Sequence, residues 1–261
     1  MHLGHVVNAI YVWGIARANG LGVLLRIEDH DRIRCRPDFE QAIVEDLDWL
    51  GFAPDAGRHP LLRQSDEPWA YETALNDLRR RHHVYACRCS RKDLGGGAYD
   101  GRCRELGLPW ENNGLRVQMP DGEDLLIRDR DGNWTYQFSV VVDDLRQGIT
   151  HVIRGEDLAD STERQTKLRA MLDHPRPIHP RQGSGGQATH DLTFIHHPLI
   201  LKASGEKLSK SAGDTGVRDL RSAGVSPAEV IGRAAAAVGL IDQPRPLDAK
   251  EVAAIFDGYA L

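Results

Sequence analysis

The chain has 261 residues, of which 41% are hydrophobic and 27% are charged, and its formal net charge is −5. This length allows one large domain or one domain with insertions, and the negative balance excludes a protein that is basic over its whole surface. The sequence has no apolar run of about 18 residues and no signal peptide, so we expect a cytoplasmic protein without a membrane partner.

Helix and strand patterns alternate in the first part of the chain. Residues 5–19 predict a helix, and the apolar run at 22–28 is typical of a buried strand of a parallel sheet. Residues 37–50 predict a second helix whose apolar stripe includes Phe39. Ser65 is predicted to cap a third helix.

The alternation is interrupted at about 85–135 and then resumes. The interruption ends in a predicted hairpin, LIRDRDGNWTYQF, with an Asp-Gly turn. Residues 148–157 predict a buried strand that runs into a loop, residues 161–172 predict a helix, and the tail from Ser226 predicts two short helices. The whole pattern indicates an α/β fold with a doubly wound parallel sheet and one insertion.

Two short patterns suggest a phosphate site. MHLGH places His2 and His5 around Gly4 at a helix start, where free N–H groups and the helix dipole favour an anion. Alone, it fits a helix start with two hydrogen-bonded histidines equally well. KLSKS places Lys207 and Lys210 in a glycine- and serine-rich loop, where two ammonium groups can follow a phosphate as charge develops. Alone, it would more often be a solvated loop.

The cysteine spacing suggests a metal site. Cys87 and Cys89 form a C-x-C pair, and Cys103 follows at a distance that suits three ligands of a tetrahedral zinc ion. The alternative is three unrelated thiols in a loop. Cys35 has no partner in the sequence and is interpreted as an incidental thiol.

Together, the two phosphate patterns resemble the HIGH and KMSKS signatures of class I aminoacyl-tRNA synthetases. The stretches LLRIEDHD, LDWLGF, YQFSVVVDDLRQGITHVIRGEDL and KLSKSAGDTG are similar to the glutamyl branch of that class. Two features resemble the short members of that branch, which glutamylate queuosine in tRNA(Asp). Only 50 residues follow Ser211, and Tyr99 accompanies the cysteines.

The resemblance implies a two-step reaction. A glutamate carboxylate attacks the α-phosphorus of ATP, which carries Mg²⁺, and the glutamyl group then passes to queuosine in the anticodon of tRNA(Asp). Catalysis is assigned to His2, His5, Lys207 and Lys210. ATP binding is assigned to His2, Gly4, His5, Lys207, Ser209 and Lys210. A structural zinc ion is assigned to Cys87, Cys89, Tyr99 and Cys103.

Three residues are candidates for binding L-glutamate, which carries one ammonium group and two carboxylates. Glu28 can face the ammonium group, Arg154 can donate two parallel hydrogen bonds to a carboxylate, and Tyr136 can add a hydroxyl. The alternatives are that Glu28 is a surface acid and that Arg154 pairs with Glu156 or Asp157.

The resemblance also implies a division of the chain. Residues 1–84 and 136–211 would form the two halves of a Rossmann-like catalytic domain, residues 85–135 the zinc-binding insertion, and residues 212–261 a helical segment. The family's first strand, with an arginine and a serine that bind glutamate, is missing, so we expect the true start to lie upstream. The loop at 182–191 is longer than the family pattern, and a monomer is expected.

Two other functions stay open at this point. One is a truncated or discriminating glutamyl-tRNA synthetase that charges a tRNA 3′ end. The other is an inactive paralogue that binds nucleotide or RNA.

Overall fold

The computed structural model describes residues 1–30, 35, 37–90, 92–95, 97–173, 192–201 and 216–261. Within them, the α-helices are α1 (Leu3–Ala18), α2 (Pro37–Leu50), α3 (Pro68–Arg81), α4 (Tyr136–Gln147), α5 (Ala159–Leu172), α6 (Val217–Ser222), α7 (Pro227–Ala237) and α8 (Val252–Ile255). The strands are β1 (Arg26–Ile27), β2 (Leu62–Arg63), β3 (Val84–Cys87), β4 (Gly114–Val117), β5 (Leu125–Arg128), β6 (His151–Gly155) and β7 (Thr193–His197). The predicted loop at 182–191 and the residues Lys207, Ser209 and Lys210 lie outside these ranges.

The first core forms around α1, which packs against the C-terminal helices α7 and α8. Val6, Ile10 and Ile15 on α1 are completely buried. Gly14 lets α1 pack directly against the ring of Phe256, which follows α8. A Cβ at this position would lie 2.3 Å from that ring. The burial of α1 on several sides fixes its N-terminus, where the histidine pattern lies.

The α/β class is confirmed, and the described residues contain two separate parallel pairs. Strand β1 pairs with β2, and β6 pairs with β7 in the register Arg154 to His196. The prediction of a fully buried strand over 22–28 was too long. Val23 and Leu25 bond to the loop residues Asp55 and Ala56, so regular pairing covers only β1, whose side chains are half-buried.

Residues 84–128 contain an antiparallel sheet in the order β3-β4-β5, which begins one residue before the predicted insertion. Its apolar face packs with α3, α4 and α5 around Leu78, Ile127 and Phe138. The predicted hairpin was partly wrong, because Tyr136 begins α4 instead of continuing a strand. The backbone of Thr135 is extended and its carbonyl accepts from Phe138 and Ser139 N–H, which starts the helix.

Two local expectations were also wrong. Phe39 is 54% exposed, because the buried stripe of α2 starts only at Val44. Ser65 does not cap α3, which begins at Pro68, since proline lacks the N–H that a first-turn residue leaves unpaired. The predictions of α2, α5 and the two tail helices are confirmed. A strand forms within 148–157 as predicted, but of its residues only Arg154 is buried. Among the described helices, none is long and apolar enough to cross a membrane.

Candidate active site and metal site

The two N-terminal histidines cap α1 reciprocally. His2 Nδ1 accepts from the N–H of Gly4 at 3.1 Å, and His5 Nδ1 accepts from the N–H of His2 at 3.2 Å. Their ring centroids are 3.9 Å apart. A Cβ on Gly4 would lie 2.9 Å from Cε1 of His2, so the glycine makes room for this ring. The helix start therefore presents two imidazoles and the positive end of a helix dipole at one point.

After the lysine pattern, the described chain resumes at Gly216, which lies beside these histidines. Gly216 forms an antiparallel bridge with His2. The N–H of Val217 donates to the carbonyl of Met1 at 2.9 Å. The described chain therefore resumes next to the histidine pattern, and Lys207, Ser209 and Lys210 lie outside the described residues.

Arg154 lies in β6 and is only 6% exposed. It donates to Oε1 of Gln165 at 2.6 Å and to Oγ1 of Thr162 at 2.8 Å, both on α5. Within the described residues it forms no ion pair, so the alternative pairing with Glu156 or Asp157 is not observed. A buried cation among neutral acceptors can receive a carboxylate ligand without first losing an ion-pair partner.

Tyr136 lies close enough to the two other predicted glutamate-binding residues to be affected by their charges. Burial raises the pKa of its hydroxyl, the charge of Glu28 raises it further, and the charge of Arg154 acts in the opposite direction. Glu28 follows β1 and accepts from Arg26 at 2.8 Å, and its side chain is partly exposed. The fold thus brings together a carboxylate from the loop after β1, a phenol from α4 and a guanidinium from β6.

Gln165 is a site residue that the sequence reasoning missed. It is 2% exposed, and its Nε2 has no hydrogen-bond partner among the described residues. The available signal was its place on α5, where Gln165, Leu168 and Met171 form the buried stripe. A polar side chain on such a stripe indicates a buried hydrogen-bonding role.

Asn8 links α1, which begins at the two histidines, to the strand β6, which carries Arg154. It lies one turn beyond His5 on α1, and its amide approaches the carbonyl of Ile153 at 3.4 Å and Nε2 of His197 at 3.1 Å. Ile153 directly precedes Arg154 in β6. The helix that carries the histidines is therefore hydrogen-bonded to the strand that carries the arginine.

The fold brings the three predicted cysteine ligands together. Their sulfur atoms lie within 4.8 Å of one another, and those of Cys89 and Cys103 are 3.5 Å apart. A tetrahedral zinc ion with bonds of about 2.3 Å needs sulfurs about 3.8 Å apart, so the cluster fits this ion. The Tyr99 oxygen accepts from the N–H of Cys103 at 2.9 Å, which puts the fourth predicted ligand at the cluster. Burial raises the pKa of the Cys89 thiol.

Comparisons with known proteins agree with this geometry. The sequence matches the family described as tRNA synthetases class I (E and Q), catalytic domain, over residues 1–102 and 114–236. It is 35% identical to a Glutamyl-Q tRNA(Asp) synthetase of Symbiobacterium thermophilum, over 98% of this chain and 88% of that protein. It is 36% identical to one of Synechococcus sp., over 97% and 84%.

The fold comparison points the same way. A solved glutamate-tRNA synthetase from Elizabethkingia anophelis superposes with a TM-score of 0.73 and 25% identity, over 97% of this chain. The chain spans 62% of the length of that solved protein. With the match to the catalytic-domain family and the high coverage of the curated relatives, the chain belongs to the Glutamyl-Q tRNA(Asp) synthetases, within the class I (E and Q) tRNA synthetases.

Proposed function

We propose that the protein activates glutamate with ATP and transfers the glutamyl group to the queuosine base of tRNA(Asp). The observation that carries this proposal is the buried Arg154, which has only neutral described partners and which acts, like Glu28, on the hydroxyl of Tyr136 through its charge. This set matches a ligand with a carboxylate at one end and an ammonium group at the other. The choice of acceptor rests on the names of the curated relatives.

In the first step, the α-carboxylate oxygen of glutamate attacks the α-phosphorus of ATP and pyrophosphate leaves. His2, Gly4 and His5 would hold the phosphates at the start of α1, and Mg²⁺ bound to ATP would neutralise part of their charge. Lys207 and Lys210, with Ser209, would stabilise the charge on the departing pyrophosphate. These roles of the lysines rest on the sequence pattern alone.

In the second step, a hydroxyl of queuosine attacks the activated carbonyl and AMP leaves. Neither step needs a nucleophile from the protein, so catalysis consists of positioning and charge stabilisation. We place the reaction in the cytoplasm because the proposed acceptor is a tRNA. A monomeric enzyme stays a prediction that light scattering can test.

The reaction is tested by following radiolabelled glutamate into three acceptors, which are tRNA(Asp) with queuosine, the same tRNA without queuosine, and tRNA(Glu). Label that appears only in tRNA(Asp) with queuosine supports the proposal. Label in tRNA(Glu) would identify a discriminating glutamyl-tRNA synthetase instead. A parallel assay of glutamate-dependent ATP–pyrophosphate exchange tests the first step, and no exchange would favour an inactive paralogue.

We also propose that Cys87, Cys89, Cys103 and Tyr99 hold a structural zinc ion, which would fix the loop after β3. Metal analysis should find about one zinc per chain, and its binding should stabilise the fold on the order of 10 kcal/mol. Cys89→Ser should lose the metal, whereas Cys35→Ser, at an exposed cysteine outside the cluster, should keep it. Zinc-free protein after purification with zinc would refute the site.

A further inference from the structure

Arg116 lies in the centre of β4 and contacts two of the four proposed zinc ligands. Its Nε donates to the sulfur of Cys87 at 3.3 Å, and its guanidinium carbon lies 3.8 Å from the centre of the Tyr99 ring. Its Nη1 donates to the backbone carbonyl of Asp124 at 2.8 Å. The residue is 7% exposed. One buried side chain therefore contacts both the first cysteine and the tyrosine of the proposed ligand set.

The charge of Arg116 is not balanced by a carboxylate among the described residues. The side chain of the nearby Asp124 instead accepts from Arg104 and from the hydroxyl of Tyr85. Burying an unpaired cation is costly, so an anion is needed close to Arg116. Three thiolates and a phenolate around Zn²⁺ carry two net negative charges, which makes the loaded metal site the matching anion.

Among the described arginines near the cluster, Arg88, Arg102 and Arg104 are all more exposed than Arg116. Arg102 acts electrostatically on Cys89 and Cys103, but its side chain is 52% exposed and bound to Asp100. Arg104 is bound to Asp124. Water and these carboxylates reduce the effect of both charges on the sulfurs, so Arg116 is the buried cation directed at the ligands.

We propose that Arg116 is a positioning residue of the metal site. It orients the Cys87 sulfur through a hydrogen bond and the Tyr99 ring through stacking, and it compensates the negative charge of the loaded cluster. This inference rests on the zinc site proposed above and is independent of the reaction. On this proposal, part of the affinity for zinc comes from strand β4, which carries Arg116, and not only from the loop after β3.

The test compares zinc affinity in the full chain, measured by competition with a chelator. Arg116→Met should raise the Kd for Zn²⁺ by about 10- to 100-fold, the usual effect of losing a group that orients a metal ligand. Arg116→Lys keeps the charge without the planar stack and should lie between this variant and the wild type. Arg128→Met is the matched control, because Arg128 lies in the neighbouring strand β5 and stacks on Trp134, away from the cluster.

Cobalt substitution gives a second readout that does not depend on enzyme activity. If Cys87 leaves the metal in Arg116→Met, the thiolate-to-cobalt charge-transfer band at saturating Co²⁺ should fall by about one third, since one of three sulfurs is lost. If Arg116→Met fails to fold with excess zinc, Arg116→Lys decides the test. If the variant that decides the test has the same Kd for Zn²⁺ as Arg128→Met, the proposed role of Arg116 is wrong. The zinc site itself would not be contradicted by that result. A wild-type protein that binds no zinc overturns both the site and this inference, while the glutamate assays judge the reaction separately.

Discussion

Arg154 donates a 2.6 Å hydrogen bond to Oε1 of Gln165, and both side chains are almost completely buried. The neutral amide holds the guanidinium in place without cancelling its charge, which leaves that charge available to a carboxylate. The other end of the amide, Nε2, has no described partner, although such a buried donor costs about 1–3 kcal/mol when unpaired. A polar substrate group beside Tyr136 would satisfy it.

The first prediction concerns this arginine. Arg154→Lys keeps the charge and loses the planar fork, so kcat/KM for glutamate in ATP–pyrophosphate exchange should fall by about 10- to 100-fold. Arg164→Lys is the control, since Arg164 lies on α5 with an exposed side chain bound to Glu123. Equal loss in both variants would speak against a direct role in glutamate binding.

The second prediction separates activity from stability at Gly4. In Gly4→Ala the new Cβ would lie 2.9 Å from the His2 ring, which must move away from the helix start. We expect kcat/KM for ATP to fall by about 10- to 100-fold, because small displacements at a reacting centre are costly. Alanine favours the helix by about 1 kcal/mol, so the melting temperature should not fall in parallel.

Gly22→Ala provides the comparison for this variant. A Cβ at Gly22 would lie 3.7 Å from the nearest atom, a carboxylate oxygen of Asp55, which is an ordinary contact. Its ATP kinetics should match the wild type. If Gly4→Ala also keeps wild-type kinetics for ATP, the geometry of the His2 ring is unimportant for catalysis.

The third prediction concerns Lys210, which lies outside the described residues. Lys210→Ala should lower kcat for adenylate formation by about 100-fold, because the charge that it stabilises grows only as pyrophosphate departs. Lys250→Ala, at an exposed lysine near α8, should leave kcat unchanged. A variant with normal kcat and a raised KM for ATP would show that Lys210 binds the ground state and the transition state equally and does not favour the departing pyrophosphate.

The fourth prediction concerns the pH dependence of stability. Burial raises the pKa of Asp143, although Arg26, Gln64 and Tyr71 act against this shift. The folded state then holds the proton more tightly than the unfolded state, so stability falls as the pH rises from about 3.9 through the folded pKa. Asp143→Asn lacks this titration, and its unfolding free energy relative to the wild type should rise with pH over that window.

Asp55→Asn should show the opposite slope. Hydrogen bonds from Arg17 and from the N–H of Val23 lower the pKa of Asp55, so its stabilising contribution is present above about 3.9 and is lost as the pH falls through the folded pKa. Relative to the wild type, this variant should therefore lose stability as the pH rises through that lower window. Urea unfolding at several pH values measures both slopes, and equal slopes would contradict the two shifts.

Local patterns in the sequence were sufficient for several elements and for the cluster of three cysteines. Pro37 starts α2 and Gly51, with a positive φ of 86°, follows its end, so the helix bounds follow from backbone chemistry alone. The spacing of Cys87, Cys89 and Cys103 likewise predicted a cluster that the fold forms. These signals are short-range, because each depends on conformational preferences or on ligands close together in the chain.

Tertiary structure alone decided which distant groups meet. Arg116 lies 29 residues from Cys87, and only the register of β3 with β4 brings them into contact. The packing of β6 against α5 determines that Arg154 meets Gln165 instead of an acid, and the same packing leaves Nε2 of Gln165 without a hydrogen-bond partner among the described residues. Helical or strand periodicity tells which face of an element is apolar, but the partner of a buried polar group depends on the element that covers that face.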